Sequence, residues 1–373
     1  MRYITIILLM LVVWVAGCSS SGTVAVPSNS GAASPAPAAT IPSGPLGPAP
    51  TAIPTSPYTP APKQGVPALP AGVNGKLVFA PGDGSIWVQD ALTAPPRNIV
   101  KASKDLYAEA PAFSPDGKLV AFHATKLNLQ GPAAETIDLI GADGQNPRTL
   151  VAASDPKSEV LWPSFSPDGQ WVYYTLETAD HRHSEIHRVP VTGGSNDKVL
   201  DEGRMPVLSP DGKRLAFIRF NVDRFTSGLW IADIDGKNIQ PLLREDTFLT
   251  IAALHFSPDG QWILFAASGP PSHELHAQVL PDYPCAPQLL CALAQPAYAD
   301  GLPWDLWVLS PDGSKSRQLT HIGADSPWPV WSHDGKYIAF FQTNGIFLLD
   351  VSSGIIMQVS RNGGHGIMDW WSQ

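Results

Sequence analysis

Between residues 113 and 335 the chain repeats one pattern of apolar and polar positions: a hydrophobic residue, a Ser-Pro-Asp-Gly corner or near copy, then an apolar or alternating run. The corners are 113–117, 165–169, 208–212, 256–260 and 331–335. Proline sets the φ needed early in a tight turn, aspartate bonds its own backbone, and glycine takes the positive φ that closes it. Each copy therefore predicts a hairpin corner. The runs that follow, 118–122, 170–174, 213–218, 261–265 and 336–341, have the length and composition of β-strands. A period of about 40 to 50 residues with several strands in each unit is the signature of propeller blades.

If each corner joins an innermost strand A to a strand B, then strands C and D should follow before the next corner. They do: 136–140 and 148–151, then 185–189 and 198–200, then 229–233 and 241–243, then 306–309 and 317–320. The Ser-Pro-Asp-Gly at 310–313 falls between a C and a D strand and so does not start a blade. The first blade lacks an A strand, because 76–80, 85–90 and 97–100 read as B, C and D. The end of the chain supplies it: Trp371-Ser372 aligns with Trp331-Ser332. A C-terminal A strand that completes the N-terminal blade removes two open sheet edges at once. The prediction is an all-β fold, a six-bladed β-propeller spanning residues 73–373 and closed by its C-terminal strand.

The pattern Pro-x-hydrophobic-Ser-Pro-Asp-Gly, followed by an aromatic strand and an Asp-Gly turn, resembles the TolB and WD-like propeller repeat. Pro111, Pro163, Pro206 and Pro329 stand where that repeat expects proline, whereas Leu254 and Asp369 depart from it and His333 replaces proline in the sixth corner. The resemblance implies a periplasmic or surface propeller that binds proteins or ligands without chemistry. The family also includes the propellers that gate prolyl oligopeptidases. That activity needs a hydrolase domain, and no Gly-x-Ser-x-Gly nucleophile turn occurs in the chain. Residues 166–171 and 257–262 resemble the sialidase Asp-box only faintly, since here Asp and Gly are adjacent. The corner aspartates are turn residues, and no catalytic residue is assigned.

Outside the repeat, Met1-Arg2, an apolar run at 3–15 and Val15-Ala16-Gly17-Cys18 resemble the lipobox of bacterial lipoproteins. The resemblance implies a signal peptide at 1–17 and lipid on Cys18, which places the bulk of the chain outside the cytoplasm in the cell envelope. Residues 18–72 turn to Pro, Ala, Ser, Thr and Gly, a composition that cannot bury enough apolar surface to offset ordering entropy. Extended at about 3.1 Å per residue, such a tether reaches roughly 160 Å. With 33 acidic and 24 basic side chains, a formal net charge of −9 argues against nucleic acid as the main partner. The two remaining cysteines, Cys285 and Cys291, are expected to form a local disulfide in an oxidising compartment, with two free thiols as the alternative.

Candidate sites follow from blade geometry. The B–C connections at 124–135, 176–184, 219–228 and above all 266–305 read as long, and they share one rim with the starts of the A strands. This places Glu109, Trp162, Arg204, Trp328 and Asp369 at the channel mouth, with Tyr283 and Trp304 in the insert at about 267–304. Aromatic and charged groups at such a mouth suit a polar ligand or an inserted peptide. His273-Glu274-Leu275-His276 is one residue short of the zinc-protease spacing. His181 and His183 could share a strand face and hold a metal with a third ligand. Solvated loop histidines are the simpler account, and no metal or other cofactor is assigned. The expected function is a non-enzymatic, monomeric envelope scaffold for a protein or peptide partner, the alternative being a metal-dependent or glycan-directed enzyme at the channel mouth.

Overall fold

A computed structural model describes residues 69, 73–127, 133–178, 180–269, 278–279, 303–342, 344–360 and 366–372. Every named element among them is a β-strand. Six antiparallel sheets follow the expected A-B-C-D order. The second blade is Leu106–Phe113, Leu119–Lys126, Ala134–Gly141 and Arg148–Ala152; the third runs from Ser158–Phe165 to Asp197–Asp201 and the fourth from Arg204–Leu208 to Gln240–Leu243. In the fifth, Thr250–Phe256, Ile263–Ser268, Trp304–Leu309 and Lys315–Gln318 form the sheet, and Gln278–Val279 from the insert pairs parallel to its outer strand. An outermost strand presents unpaired amides and carbonyls, which is what such an added strand satisfies. The sixth blade begins with an A strand of two residues, Val330–Trp331.

Closure occurs as the repeat demanded. Met368–Trp371 pairs antiparallel with Lys76–Phe79, from Lys76 opposite Trp371 to Phe79 opposite Met368. Trp370 Nε1 donates to the Asn74 carbonyl at 3.1 Å. Trp371 reaches the next blade, donating to the Pro115 carbonyl at 2.9 Å. Its ring covers Gly117, which sits at φ +67°, so a Cβ there would be strained and would also collide with the indole.

All six corners of the Ser-x-Asp type are alike. Serine Oγ donates to aspartate Oδ1 at 2.5–2.7 Å, and accepts from the backbone N–H five residues after it at 2.9 Å. The copy at Ser310 makes the same bonds while joining strand C to strand D. The turn chemistry is local, and the strand order around it is not.

The core is distributed among the blade interfaces. Val78 and Ile86 of the first blade pack with Phe122 and Ile140 of the second, and Tyr173 and Ile186 of the third with Leu215 and Phe217 of the fourth. The last interface joins Phe341 and Leu348 to Leu77, Phe79 and Trp370. Alternate positions of each B and C strand thus bury both faces, which explains why these strands read as nearly continuous apolar runs.

One expectation is corrected. The B and C strands run further toward the rim than the apolar pattern suggested, so residues 222–225 join them in the fourth blade and 179–183 in the third. Arg219, Phe220 and Asn221 stay in register with Gly228, Ser227 and Thr226. Ladder hydrogen bonds extend a hairpin beyond its hydrophobic core. Long B–C connections are therefore not a property of the whole rim.

Candidate functional site: the central channel and its rim

Each inner strand of the second to fifth blades carries a β-bulge a few residues before its corner. Ala110, Trp162, Met205 and Ala253 sit there at φ between 50° and 58°, within the register shifts of those strands. The proline that follows in three of them has no N–H to withdraw from the ladder, which is why proline is tolerated at bulges. Leu254 in the fifth blade keeps the bulge without proline. These bends turn the inner strands around an open channel of about 430 Å³ to which all six blades contribute.

Of the sequence-derived candidates, Trp162, Trp328 and Asp369 line the channel. Asp369 occupies the proline position of the repeat. Its Oδ2 accepts from Phe113 N of the second blade at 2.7 Å, and its Oδ1 accepts from Trp370 N at 2.8 Å. Oδ1 also faces His255 Nε2 of the fifth blade at 3.6 Å. His255 escaped the sequence reading. The signal was present in the repeat, since the equivalent positions hold Ala112, Ser164, Val207 and Val330 and only this one carries an ionisable group.

Glu109 and Arg204 turn away from the channel into their blades. Glu109 Oε1 lies 3.3 Å from His123 Nδ1, and Glu135 Oε2 lies 2.8 Å from His123 Nε2. Register places the three together, with Glu109 directly opposite His123. Burial of the His123 ring opposes its charge, yet the two carboxylates bonded to it raise its pKa to about 9. With a carboxylate on each ring nitrogen, both nitrogens act as donors and the ring is an imidazolium.

Arg204 crosses a blade boundary. Its guanidinium contacts Glu177 Oε1 of the third blade at 2.7 Å, donates to the His181 carbonyl at 2.6 Å, and lies 4.8 Å from the centre of the Phe220 ring. The Glu177 side chain is fully buried, and the same oxygen meets His181 Nδ1 at 2.6 Å. Burial lowers the Arg204 pKa, and Glu177 offsets part of that; the hydrogen bond to Glu177 raises that of His181.

His181 sits in the turn before the strand Ser184–Pro190, at φ 57°, and not on a strand beside His183 as expected. The exposed His183 shares no face with it. Among the described residues no group of three His, Cys, Asp or Glu side chains is placed to hold a metal ion. Trp304 is buried among Leu306, Leu319 and Phe340 between the fifth and sixth blades. Cys18, His273, His276, Tyr283, Cys285 and Cys291 lie outside the described residues.

A family model described as the TolB beta propeller domain matches residues 76–278, more than half of the chain. The chain belongs to the TolB β-propeller domain family. Among solved structures, this TolB-type propeller is similar to TolB from Acinetobacter baumannii (TM-score 0.55, 16% identity, 79% of this chain and 66% of that one). It is also similar to putative TolB from Agrobacterium tumefaciens (TM-score 0.51, 17% identity, 81% of this chain and all of that one). A chain of the Nidogen/Laminin complex shares the fold at TM-score 0.56 and 15% identity, over 79% of this chain and 97% of its own. An uncharacterized protein of Agrobacterium fabrum is 25% identical over 201 residues, 50% of this chain and 62% of that protein. The TolB-type propeller thus spans just under two thirds of both the curated relative and the Acinetobacter chain.

Proposed function

We propose that this protein is a non-enzymatic, monomeric scaffold of the cell envelope that takes a segment of a partner protein into its channel. The observation that carries this is the channel itself, an open apolar passage with Trp162 and Trp328 on its wall and a fixed carboxylate inside. Aromatic anchors beside a few placed polar groups make a site suited to recognition. Membership of the TolB propeller family supports the same reading. We place lipid on Cys18, with 18–72 as a tether and 73–373 as the working domain, and assign part of the contact surface to the insert at about 267–304.

A photo-crosslinking residue placed singly at Trp162 or Trp328, in cells, tests the proposal. Adducts with an envelope protein are expected at both positions and not at Lys118 or Lys213 beside the corners. Adducts confined to Lys118 and Lys213 would place the contact outside the channel.

A further inference from the structure

The channel is lined mainly by apolar residues from all six blades, and its ionisable groups are confined to one side. Blades two to four contribute Ala110, Pro111, Trp162, Met205, Pro206 and Val207, with Ser114 and Ser164 as their polar side chains. Blades five, six and one add His255, His333, Asp369 and Ser372 among apolar residues such as Leu254, Trp328 and Ile367. His333, Trp370 and Ser372 continue into an adjoining polar pocket of about 170 Å³ that also takes in Asn74, Asp334 and Tyr337. Among the described lining residues of the channel there is no lysine or arginine, and Asp369 is the one carboxylate. The short inner strand of the sixth blade leaves the space across which His255 and Asp369 face each other.

His255 faces that carboxylate without hydrogen-bonding to it. Its Nδ1 lies 3.1 Å from the Phe256 carbonyl, which orients the ring. Its Nε2 stands 3.6 Å from Asp369 Oδ1, a separation too long for a hydrogen bond. Backbone amides hold Asp369 in position without cancelling its charge. A single negative charge in a narrow apolar passage, on a chain with net charge −9, focuses attraction on cations.

We propose that the segment the channel accepts is an apolar peptide carrying one lysine or arginine, whose cation docks on Asp369 while its apolar side chains lie on the wall of blades two to four. This rests on the channel reading above and specifies its ligand. Phe113 N and Trp370 N hold the Asp369 carboxylate in place to receive it.

The test uses the full chain and three fluorescein-labelled, amidated pentapeptides, Ala-Leu-X-Leu-Ala with X as Lys, Gln or Glu, read by fluorescence anisotropy. The Lys peptide is expected to bind at least tenfold more tightly than the Glu peptide. Asp369→Asn keeps an acceptor for Phe113 N, so the melting temperature should hold while Lys-peptide affinity falls about tenfold and Gln-peptide affinity stays level. Equal binding of all three peptides, or no effect of Asp369→Asn, overturns the cation preference. If equal binding is abolished by Met205→Trp, which fills the channel, the channel reading survives that failure. No binding of the Lys peptide at millimolar concentration overturns both.

Discussion

The two faces of the ring obey different rules. On the corner face, six turns repeat one set of serine–aspartate hydrogen bonds within a tenth or two of an ångström. Away from these turns the blades differ: the second buries an imidazolium between two carboxylates, the third and fourth share an arginine–glutamate–histidine cluster, and inside the channel, two residues before its own corner serine, the fifth turns His255 toward Asp369. Repetition marks what the fold needs of every blade, and departure from it marks where the chain has invested in individual chemistry. Asp369 is the plainest case, because it replaces a turn-directing proline with a charge.

Closure sets the upper limit of this contrast, since both faces depend on it. Removing residues 366–373 strips the first blade of its inner strand and removes Trp370 from the last interface, where loss of one buried tryptophan alone costs about 3–5 kcal/mol. Cooperative thermal unfolding should disappear from calorimetry. A truncated protein that melts at the full-length temperature would show that the ring does not depend on this strand.

At the rim, His123→Ala leaves Glu109 and Glu135 facing each other without their cation and should destabilise by about 3–5 kcal/mol in denaturant titration. The pH dependence has a definite sign. The folded pKa of His123, about 9, exceeds its ordinary value of 6.5, so its contribution is complete below pH 6.5 and is lost as pH rises through about 9. The wild-type melting temperature should fall across that window, and the variant should lack this component. A wild-type profile that rises through the window would contradict the charged assignment.

Arg204→Met leaves the fully buried Glu177 with His181 as its remaining charged partner and should cost about 3 kcal/mol, whereas the double change Arg204→Met, Glu177→Met should recover most of it. Failure of the double variant to recover would mean that His181 and the neighbouring loop depend on the charges themselves.

Corners should respond weakly and uniformly. Ser114→Ala, Ser209→Ala and Ser257→Ala each remove one buried hydroxyl and should lose about 1 kcal/mol, alike to within a few tenths. Lys118→Glu and Lys213→Glu, exposed beside the corners, should stay within about 0.5 kcal/mol of wild type. A spread among the serines as wide as that among the rim variants would erase the distinction between the faces.

Much of the fold was legible because it rests on local rules. Turn chemistry located the corners, a period of two identified the strands, and counting strands exposed both the misplaced Ser-Pro-Asp-Gly at 310–313 and the missing first strand. The site was legible only where it broke the repeat. Asp369 was found that way, and His255 was open to the same comparison. Glu109 and Arg204 were assigned to the right inner strands but to the wrong direction. Their facing depends on the bulges at Ala110 and Met205, which shift the pairing by one residue and are invisible in an apolar pattern.

The sequence by itself determined an all-β ring of six blades, its closure by the last strand and the form of every corner, because turn preferences and strand alternation act over a few residues. Tertiary structure decided which charges meet. Glu177 reaches Arg204 across a blade boundary, and His255 faces Asp369 across the channel from more than one hundred residues away. Such partnerships are set by how twisted sheets pack around an axis, and no short-range pattern in the chain encodes that geometry.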